Sequence, residues 1–156
     1  MRFLPSAFSR RSLLLGALTF SVAHALPARP PTSIDIWKSP TCGCCRDWID
    51  HLARAGLTAR VNDVGNSAAR QRLGIPAALG SCHTGLIGGY SVEGHVPARD
   101  ILRLLRERPD AVGLAVPGMP VGSPGMDGSV YGGRKEAFDV LLVDRKGGTT
   151  VFSRYR

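Results

Sequence analysis

Four cysteines are the residues of this chain whose type and spacing suggest chemistry. Three of them, Cys42, Cys44 and Cys45, fall within four residues, and the fourth, Cys82, stands beside His83 in a distant segment. If the run lies at the start of a helix, its thiolates are stabilised, because the unpaired N–H groups and the helix dipole favour negative charge at a helix N-terminus. The cysteines are therefore candidates for a soft-metal site, a redox pair or structural disulfides.

These alternatives use the sulfurs differently. A redox dithiol pairs Cys42 with Cys45 and leaves Cys44 spare. Two disulfides, Cys42–Cys45 and Cys44–Cys82, are the default for four cysteines in an oxidising compartment. On a regular helix, at about 100° per residue, the three sulfurs of the run diverge too far to serve one small tetrahedral ion without local distortion, although they suit one side of a polynuclear cluster. Structural zinc fits poorly, because its cysteines usually come in two spaced pairs.

A loop rich in glycine and proline adds two thioethers, those of Met119 and Met126. Apart from Met1 they are the only methionines in the sequence, and a loop is an unusual place for methionines that fill a core. Soft thiolates and thioethers select Cu(I) among the metals of an extracytoplasmic space. We therefore predict a copper site with one or more ions, Cu(I) favoured, held by Cys42, Cys44, Cys45, Cys82, His83, Met119 and Met126.

The other histidines and the large aromatic residues are weaker candidates. His51 flanks the apolar stripe of a predicted helix, which indicates a packed or surface residue. His95 precedes another predicted helix, where a role as metal ligand and a role near the helix cap are both open. Trp37, Trp48 and Tyr90 are predicted to belong to the core.

A β-α-β start must position the cysteine run. Residues 33–37 alternate and contain β-branched side chains, which predicts a strand. Residues 43–55 carry apolar side chains at i, i+3, i+4 and i+7, which is typical of a helix with one buried face. The later predictions are a strand over 57–64, a helix over 67–73, extended pieces near 86–87 and 90–92, a helix from Pro97 that ends at Pro109, a Gly/Pro loop over 113–128 and a hairpin of 138–143 with 149–155.

This order of elements predicts an α/β, thioredoxin-like fold with a central mixed sheet, flanking helices and a C-terminal β-hairpin. In such folds a Cys-x-x-Cys opens the helix after the first strand, as Cys42 and Cys45 do here. Val116-Pro117 lies ahead of the terminal hairpin, where thioredoxin-like folds place a cis-proline beside the cysteines. The sequence does not determine whether the bond between Val116 and Pro117 is cis or trans.

Residues 1–25 are predicted to be a cleaved export signal. Three arginines precede an apolar run from Leu13 to Ala23, and Ala23-His24-Ala25 fits a small-x-small cleavage site. The segment 9–14 resembles a twin-arginine signal. Cleavage leaves 131 residues, comprising an extended tail over 26–32 and one metal-binding domain over 33–156. Either export route leads out of the cytoplasm, which predicts a periplasmic location.

Charge and hydropathy narrow the classes of function. The 156-residue chain carries +8, and cleavage removes three arginines and no acidic residue, which leaves +5. The basic residues are scattered, and several lie on the outer face of one predicted helix, which indicates a solvated surface rather than a nucleic-acid site. The apolar run of the signal is too short to span a bilayer, and no later run approaches that length, so we expect no membrane span in the mature chain.

Four separated blocks together resemble the CopG-type copper-resistance family. They are WKSPTCGCC at 37–45, SCHT at 81–84, EGHVP at 93–97, and GLAVPGMP with GSPGM within 113–126. The resemblance extends from about Ile34 to the final hairpin. It implies a thioredoxin-like fold, a periplasmic location, copper binding through the Cys-x-Cys-Cys run and the distant cysteine, a part in copper tolerance, and copper redox chemistry as an activity to test. The methionine and histidine ligands are inferred from chemistry and not from the resemblance.

The predicted function is therefore copper resistance, through sequestration of Cu(I) and interconversion of Cu(I) and Cu(II). The predicted partners are copper ions and other periplasmic copper-handling proteins. Two alternatives are a non-enzymatic copper chaperone and a thiol–disulfide oxidoreductase in which Cys42 attacks and Cys45 resolves. Cys44 argues against the oxidoreductase, because a third adjacent thiol would scramble the exchange, and the methionine loop has no role in it.

Overall fold

The computed structural model describes residues 32–156. The predicted export signal, residues 1–25, lies outside the described residues, as does all but the last residue of the predicted tail over 26–32. Within the described part of the chain, none of the helices has the length and apolar character needed to cross a membrane.

Seven strands form one mixed sheet in the order β2-β1-β3-β4-β5-β6-β7. The strands are β1 (Ser33–Lys38), β2 (Thr58–Asn62), β3 (His83–Ile87), β4 (Tyr90–Glu93), β5 (Gly113–Ala115), β6 (Phe138–Val143) and β7 (Thr149–Tyr155). The pairs β1/β2 and β4/β5 are parallel, and the other neighbouring pairs are antiparallel. The helices are α1 (Gly43–Arg54), α2 (Ser67–Arg72) and α3 (Ala98–Glu107).

The core lies between the sheet and the apolar faces of the helices. Ile34 and Ile36 of β1 are fully buried and alternate with half-buried residues, as expected for a strand with one buried face. Trp48 and Leu52 of α1 and Ile101 of α3 belong to the same cluster. Complete burial of a side chain of this kind contributes about 1.5–3 kcal/mol, so this cluster holds α1 firmly against the sheet.

The predicted fold class is confirmed. A β-α-β start leads to the β3-β4 hairpin and α3, and the β6-β7 hairpin closes the chain. The helices predicted over 43–55, 67–73 and from Pro97 to Pro109 are observed as α1, α2 and α3, with differences of one or two residues at their ends. Trp48 and Tyr90 belong to the core as predicted, whereas Trp37 is only half-buried.

The prediction of a loop over 113–128 was wrong for its first three residues. Gly113–Ala115 form β5, which pairs with β4 on one side and β6 on the other. A three-residue strand that starts with glycine has little intrinsic preference for this conformation, so its two neighbours decide it. A β-carbon at Gly113 would collide with the carbonyl oxygen of Ser91, which explains the glycine. The peptide bond between Val116 and Pro117 is trans, like the others in residues 32–156.

Candidate metal centre

Strand pairing brings Cys82 to the cysteine run. β1 and β3 are antiparallel, with Lys38 at the end of β1 opposite His83 at the start of β3. Cys82 immediately precedes β3, and Cys42 follows β1 after a short turn. Two segments separated by about forty residues in the chain therefore meet at the same end of the neighbouring strands β1 and β3, at the point where α1 begins.

The four cysteine sulfurs form one compact cluster, with every Sγ within 4.8 Å of the others. The Sγ of Cys44 lies 3.7 Å from that of Cys42 and 3.8 Å from that of Cys82. The Sγ atoms of Cys45 and Cys82 are 3.6 Å apart. Cys42 and Cys45 are joined by a disulfide, whereas Cys44 and Cys82 are free thiols. The second disulfide considered from the sequence, Cys44–Cys82, is not formed.

The divergence expected for three sulfurs on a regular helix does not arise, because the first cysteine of the run lies outside the helix. Cys42 is the N-cap residue of α1 and has extended backbone angles, φ −75° and ψ 98°. The rotation per residue of a regular helix therefore does not apply to it. Sulfurs around one ion with bonds of about 2.3 Å are separated by about 3.8 Å, so the observed spacings suit a shared thiolate-bound metal once the disulfide is reduced.

Cys82 also belongs to a second group of donors, with His83 and His95. Its Sγ lies 3.3 Å from Nδ1 of His83 and 3.2 Å from Nε2 of His95. Both imidazoles are completely buried. Cys82 is therefore the residue that the sulfur cluster and the histidine group share.

Backbone carbonyls determine which nitrogen of each imidazole carries the hydrogen. Nε2 of His83 donates to the carbonyl oxygen of Gly94, and Nδ1 of His95 donates to that of Pro124, both at 2.9 Å. Because a carbonyl oxygen only accepts, the unprotonated nitrogen of each ring is the one that faces Cys82. Histidines whose other nitrogen is held in this way are typical metal ligands.

Burial keeps these imidazoles neutral. Desolvation lowers the pKa of His83 to about 3, and the neighbouring His95 contributes to the shift. The pKa of His95 is also lowered, mainly by burial. Burial raises the pKa of Cys82 to about 12, with a further contribution from Cys44. In the metal-free protein a protonated Cys82 thus lies beside two neutral imidazoles, and a metal ion that replaces the thiol proton finds its nitrogen donors ready.

His95 is the donor that the sequence left undecided and that the predicted ligand set omits. The β3-β4 register explains its position, because Thr84 pairs with Glu93 across the Gly88-Gly89 turn. Continued by two residues, this register places Cys82 opposite His95. The position of His95 could have been predicted from the sequence, because the two predicted extended pieces are separated by two glycines. A two-residue turn sets the register of a hairpin.

The loop that carries the methionines passes over the first turn of α1. Gly125 has a φ of +85°, and a β-carbon there would lie 2.6 Å from the carbonyl oxygen of Cys44, so the close approach requires glycine. Met126 follows directly and is buried, and its Sδ accepts a hydrogen bond of 3.2 Å from the hydroxyl of Tyr131. One end of the loop therefore packs closely against the helix that carries the cysteine run.

The other end of the loop is tied to the segment before Cys82. The N–H of Gly118 donates to the carbonyl oxygen of Gly80, and the carbonyl oxygen of Gly118 accepts from the hydroxyl of Ser81. Met119, the next residue, has an exposed fraction of 51%. The loop thus adjoins the cluster at both ends, with one methionine buried and one exposed, and ligation by either methionine stays a prediction.

Two side chains of α1 fasten this helix to the segment that leads into α3. The indole Nε1 of Trp48 donates to the carbonyl oxygen of Val96 at 2.8 Å, and Nε2 of His51 accepts from the N–H of Ala98 at 3.0 Å. The Trp48 ring also lies against His83, with 4.1 Å between ring centroids. His51 is therefore packed, which is one of the two positions that the sequence left open, and it also caps the first turn of α3.

The fold and this Cys/His cluster define a thioredoxin-like α/β protein with a candidate soft-metal centre. The family model described as "Protein of unknown function, DUF411" matches residues 79–126. Two solved structures of copper resistance protein CopG, Form 1 and Form 2, are 51% and 50% identical to this chain, with TM-scores of 0.73 and 0.74. The matches cover 80% and 82% of this chain and 98% and 100% of those chains. No curated protein matches significantly. The chain belongs to the CopG copper-resistance family.

Proposed function

We propose that this protein binds Cu(I) through the cysteine cluster and protects the periplasm by sequestering it. The observation that carries this proposal is the convergence of the three sulfurs of the cysteine run and two oriented imidazoles on Cys82. Thiolates prefer Cu(I) among the metals of that compartment. The two solved relatives are named copper resistance proteins, which supports copper as the cargo.

The cysteine donors differ in oxidation state. Cys44 and Cys82 are available as free thiols, whereas Cys42 and Cys45 bind metal only after their disulfide is reduced. The imidazoles of His83 and His95 add neutral nitrogen ligands beside Cys82. Met119 and Met126 are further thioether donors in this proposal, and the exposure of Met119 suits it to meet incoming copper first.

The Cys42–Cys45 disulfide favours a second candidate activity, the oxidation of Cu(I) to Cu(II). Reduction of one disulfide to two thiols takes up two electrons and two protons, and the oxidation of two Cu(I) ions to two Cu(II) ions supplies the electrons. The disulfide sulfurs lie within 4.8 Å of both free thiols, where the copper would be held. Imidazole ligands make Cu(II) more accessible than an all-thiolate site does.

Thiol–disulfide exchange with other proteins is the competing use of the same disulfide. The free thiol of Cys44 lies 3.7 Å from the Sγ of Cys42, close enough to compete with an external thiol. The buried imidazoles have no function in such an exchange. The geometry therefore supports copper chemistry better than general reductase activity.

Metal analysis with thiol counting tests the proposal. After chemical reduction we expect four reactive thiols and more than one Cu(I) retained per chain, against little retention in a Cys44→Ser/Cys82→Ser variant. Vigorous reduction of insulin by a protein that retains no copper would instead support the oxidoreductase. Addition of Cu(I) to the disulfide form should produce Cu(II) above the level of a Cys42→Ser control. Cell fractionation of the full chain tests the periplasmic location.

A further inference from the structure

We propose that Asn66, Arg70 and Glu93 form a positioning frame for the Cys82-His83 donor pair. None of the three is a metal ligand in the proposed site; they act by holding the two residues that flank the pair, Ser81 and Thr84. The effect on copper affinity rests on the proposed function, whereas the effect on Cys82 itself does not.

Glu93 holds both ends of the donor segment. It is fully buried on β4. Its Oε1 accepts from the backbone N–H of Ser81 at 2.7 Å, and its Oε2 accepts from the hydroxyl of Thr84 at 2.6 Å. Because Ser81 and Thr84 directly flank Cys82 and His83, one carboxylate restrains the segment on both sides of the donors.

Arg70 of α2 supplies the positive charge that a buried carboxylate needs. Its Nε donates to Oε1 of Glu93 at 2.8 Å, and its Nη2 donates to the carbonyl oxygen of Ser81. The partners of the Glu93 carboxylate are all donors, so the frame uses this side chain as a pure acceptor. Loss of Arg70 would leave the buried Glu93 carboxylate without its ion-pair partner, which is strongly destabilising.

Asn66 closes the frame from the start of α2. An asparagine at the N-cap usually bonds to a free N–H of its own helix, but the side chain of Asn66 makes no such bond. Its Nδ2 donates instead to the carbonyl oxygen of Ser81 at 3.1 Å and to the hydroxyl of Thr84 at 3.2 Å. The capping residue of α2 is therefore used to hold the donor segment rather than the helix.

The frame leaves the Ser81 backbone no free polar group. Its N–H is bound by Glu93, and its carbonyl oxygen is bound by both Arg70 and Asn66. The direction in which the chain enters Cys82 is thereby determined, and with it the position of the Sγ that both donor groups share. Loss of partners that orient metal ligands in this way typically weakens metal binding about 10–100-fold.

The test compares Glu93→Gln with Ser91→Ala as a matched control. Ser91 is also buried on β4, and its hydroxyl donates to the carbonyl oxygen of Leu73, the residue that follows α2, at 2.8 Å. The Ser91 side chain does not hold the donor segment. In chelator competition with the reduced protein, we expect Glu93→Gln to weaken Cu(I) binding about 10–100-fold and to shift the thiolate-to-copper absorption, with no change for Ser91→Ala.

A readout without copper keeps the frame testable by itself. In a Cys44→Ser background with the Cys42–Cys45 disulfide intact, Cys82 is the single free thiol. We expect iodoacetamide to alkylate it faster in Glu93→Gln than in the background protein and in Ser91→Ala. Thr84→Val removes one hydroxyl that the frame binds and gives a milder variant if Glu93→Gln does not fold.

Unchanged alkylation in a folded frame variant that has lost stability would overturn the proposal, because the three residues would then be merely structural. If the wild-type protein retains no Cu(I), the proposed function fails, while the alkylation rates still decide whether the frame positions Cys82.

Discussion

The two sides of the candidate metal centre differ in how firmly their donors are held. The helix side lies around the first turn of α1, where two of its three sulfurs are half-buried and two are joined by a disulfide. The strand side lies at the open end of the β3-β4 hairpin, where both imidazoles are buried and each donates a hydrogen bond to a backbone carbonyl oxygen. The helix side comprises Cys42, Cys44 and Cys45, and the strand side comprises Cys82, His83 and His95.

This difference suits the two sides to different roles. Reduction of the Cys42–Cys45 disulfide changes the number of thiolates on the helix side without requiring a change of backbone conformation. The strand side cannot change in this way, since carbonyl groups and the ion pair of Arg70 with the buried Glu93 restrain its donors. We infer that the strand side provides a constant geometry against which the helix side gains or loses metal ligands.

The largest effect is expected from Cys82→Ser, because Cys82 alone belongs to both donor groups. Copper affinity in chelator competition should fall by more than the roughly 10–100-fold that typifies loss of a supporting partner. Cys44→Ser removes a thiol from the helix side only and should have the smaller effect. Equal losses in the two variants would show that the strand side has no special role.

The next largest effect is expected from acid, which should lower the free energy of unfolding of the metal-free protein through His83 on the strand side. The unfolded chain protonates His83 near pH 6.5, whereas burial lowers its folded pKa to about 3. The stability contributed by the neutral ring is therefore present above pH 6.5 and is lost as the pH falls toward 3, at a slope that approaches about 1.4 kcal/mol per pH unit. Urea titrations from pH 7 to 4.5 measure this, and a flat profile would contradict the buried, neutral imidazole.

Reduction of the Cys42–Cys45 disulfide should lower the free energy of unfolding by about 2 kcal/mol, since this bond closes a loop of only four residues. Addition of Cu(I) to the reduced protein should restore or exceed that stability, because metal bound only by the folded chain shifts the equilibrium toward it. Thermal unfolding of the oxidised, reduced and copper-loaded protein measures both steps. Copper that fails to stabilise the reduced form would count against ligation on the helix side.

The smallest effects should separate the two methionines. Met126→Leu removes the acceptor of the Tyr131 hydrogen bond and should cost about 1 kcal/mol of stability. Met119→Leu should change stability by less than about 0.5 kcal/mol, since Met119 is half exposed, and should slow copper uptake in stopped-flow measurements. Identical uptake by wild type and Met119→Leu would remove Met119 from the site.

The two sides of the site also differ in how much of each could be predicted from the sequence. The helix side follows from local rules, because an apolar stripe predicts α1 and the spacing of the cysteines places them at its start. His95 was left open because its meeting with Cys82 depends on a hairpin register. The strand β5 was missed for a related reason, since three residues with a glycine become a strand only between β4 and β6.

The sequence by itself determined the proximity of the three cysteines of the run, because the covalent chain holds them together whatever the fold. It also determined the alternating and helical patterns that define the α/β order. Only the tertiary structure decided that Cys82 joins the run, through the pairing of Lys38 with His83. It also decided the orientation of the imidazoles, since carbonyl groups from distant segments set their tautomers. Contacts between distant residues depend on strand register and packing, which no local spacing specifies.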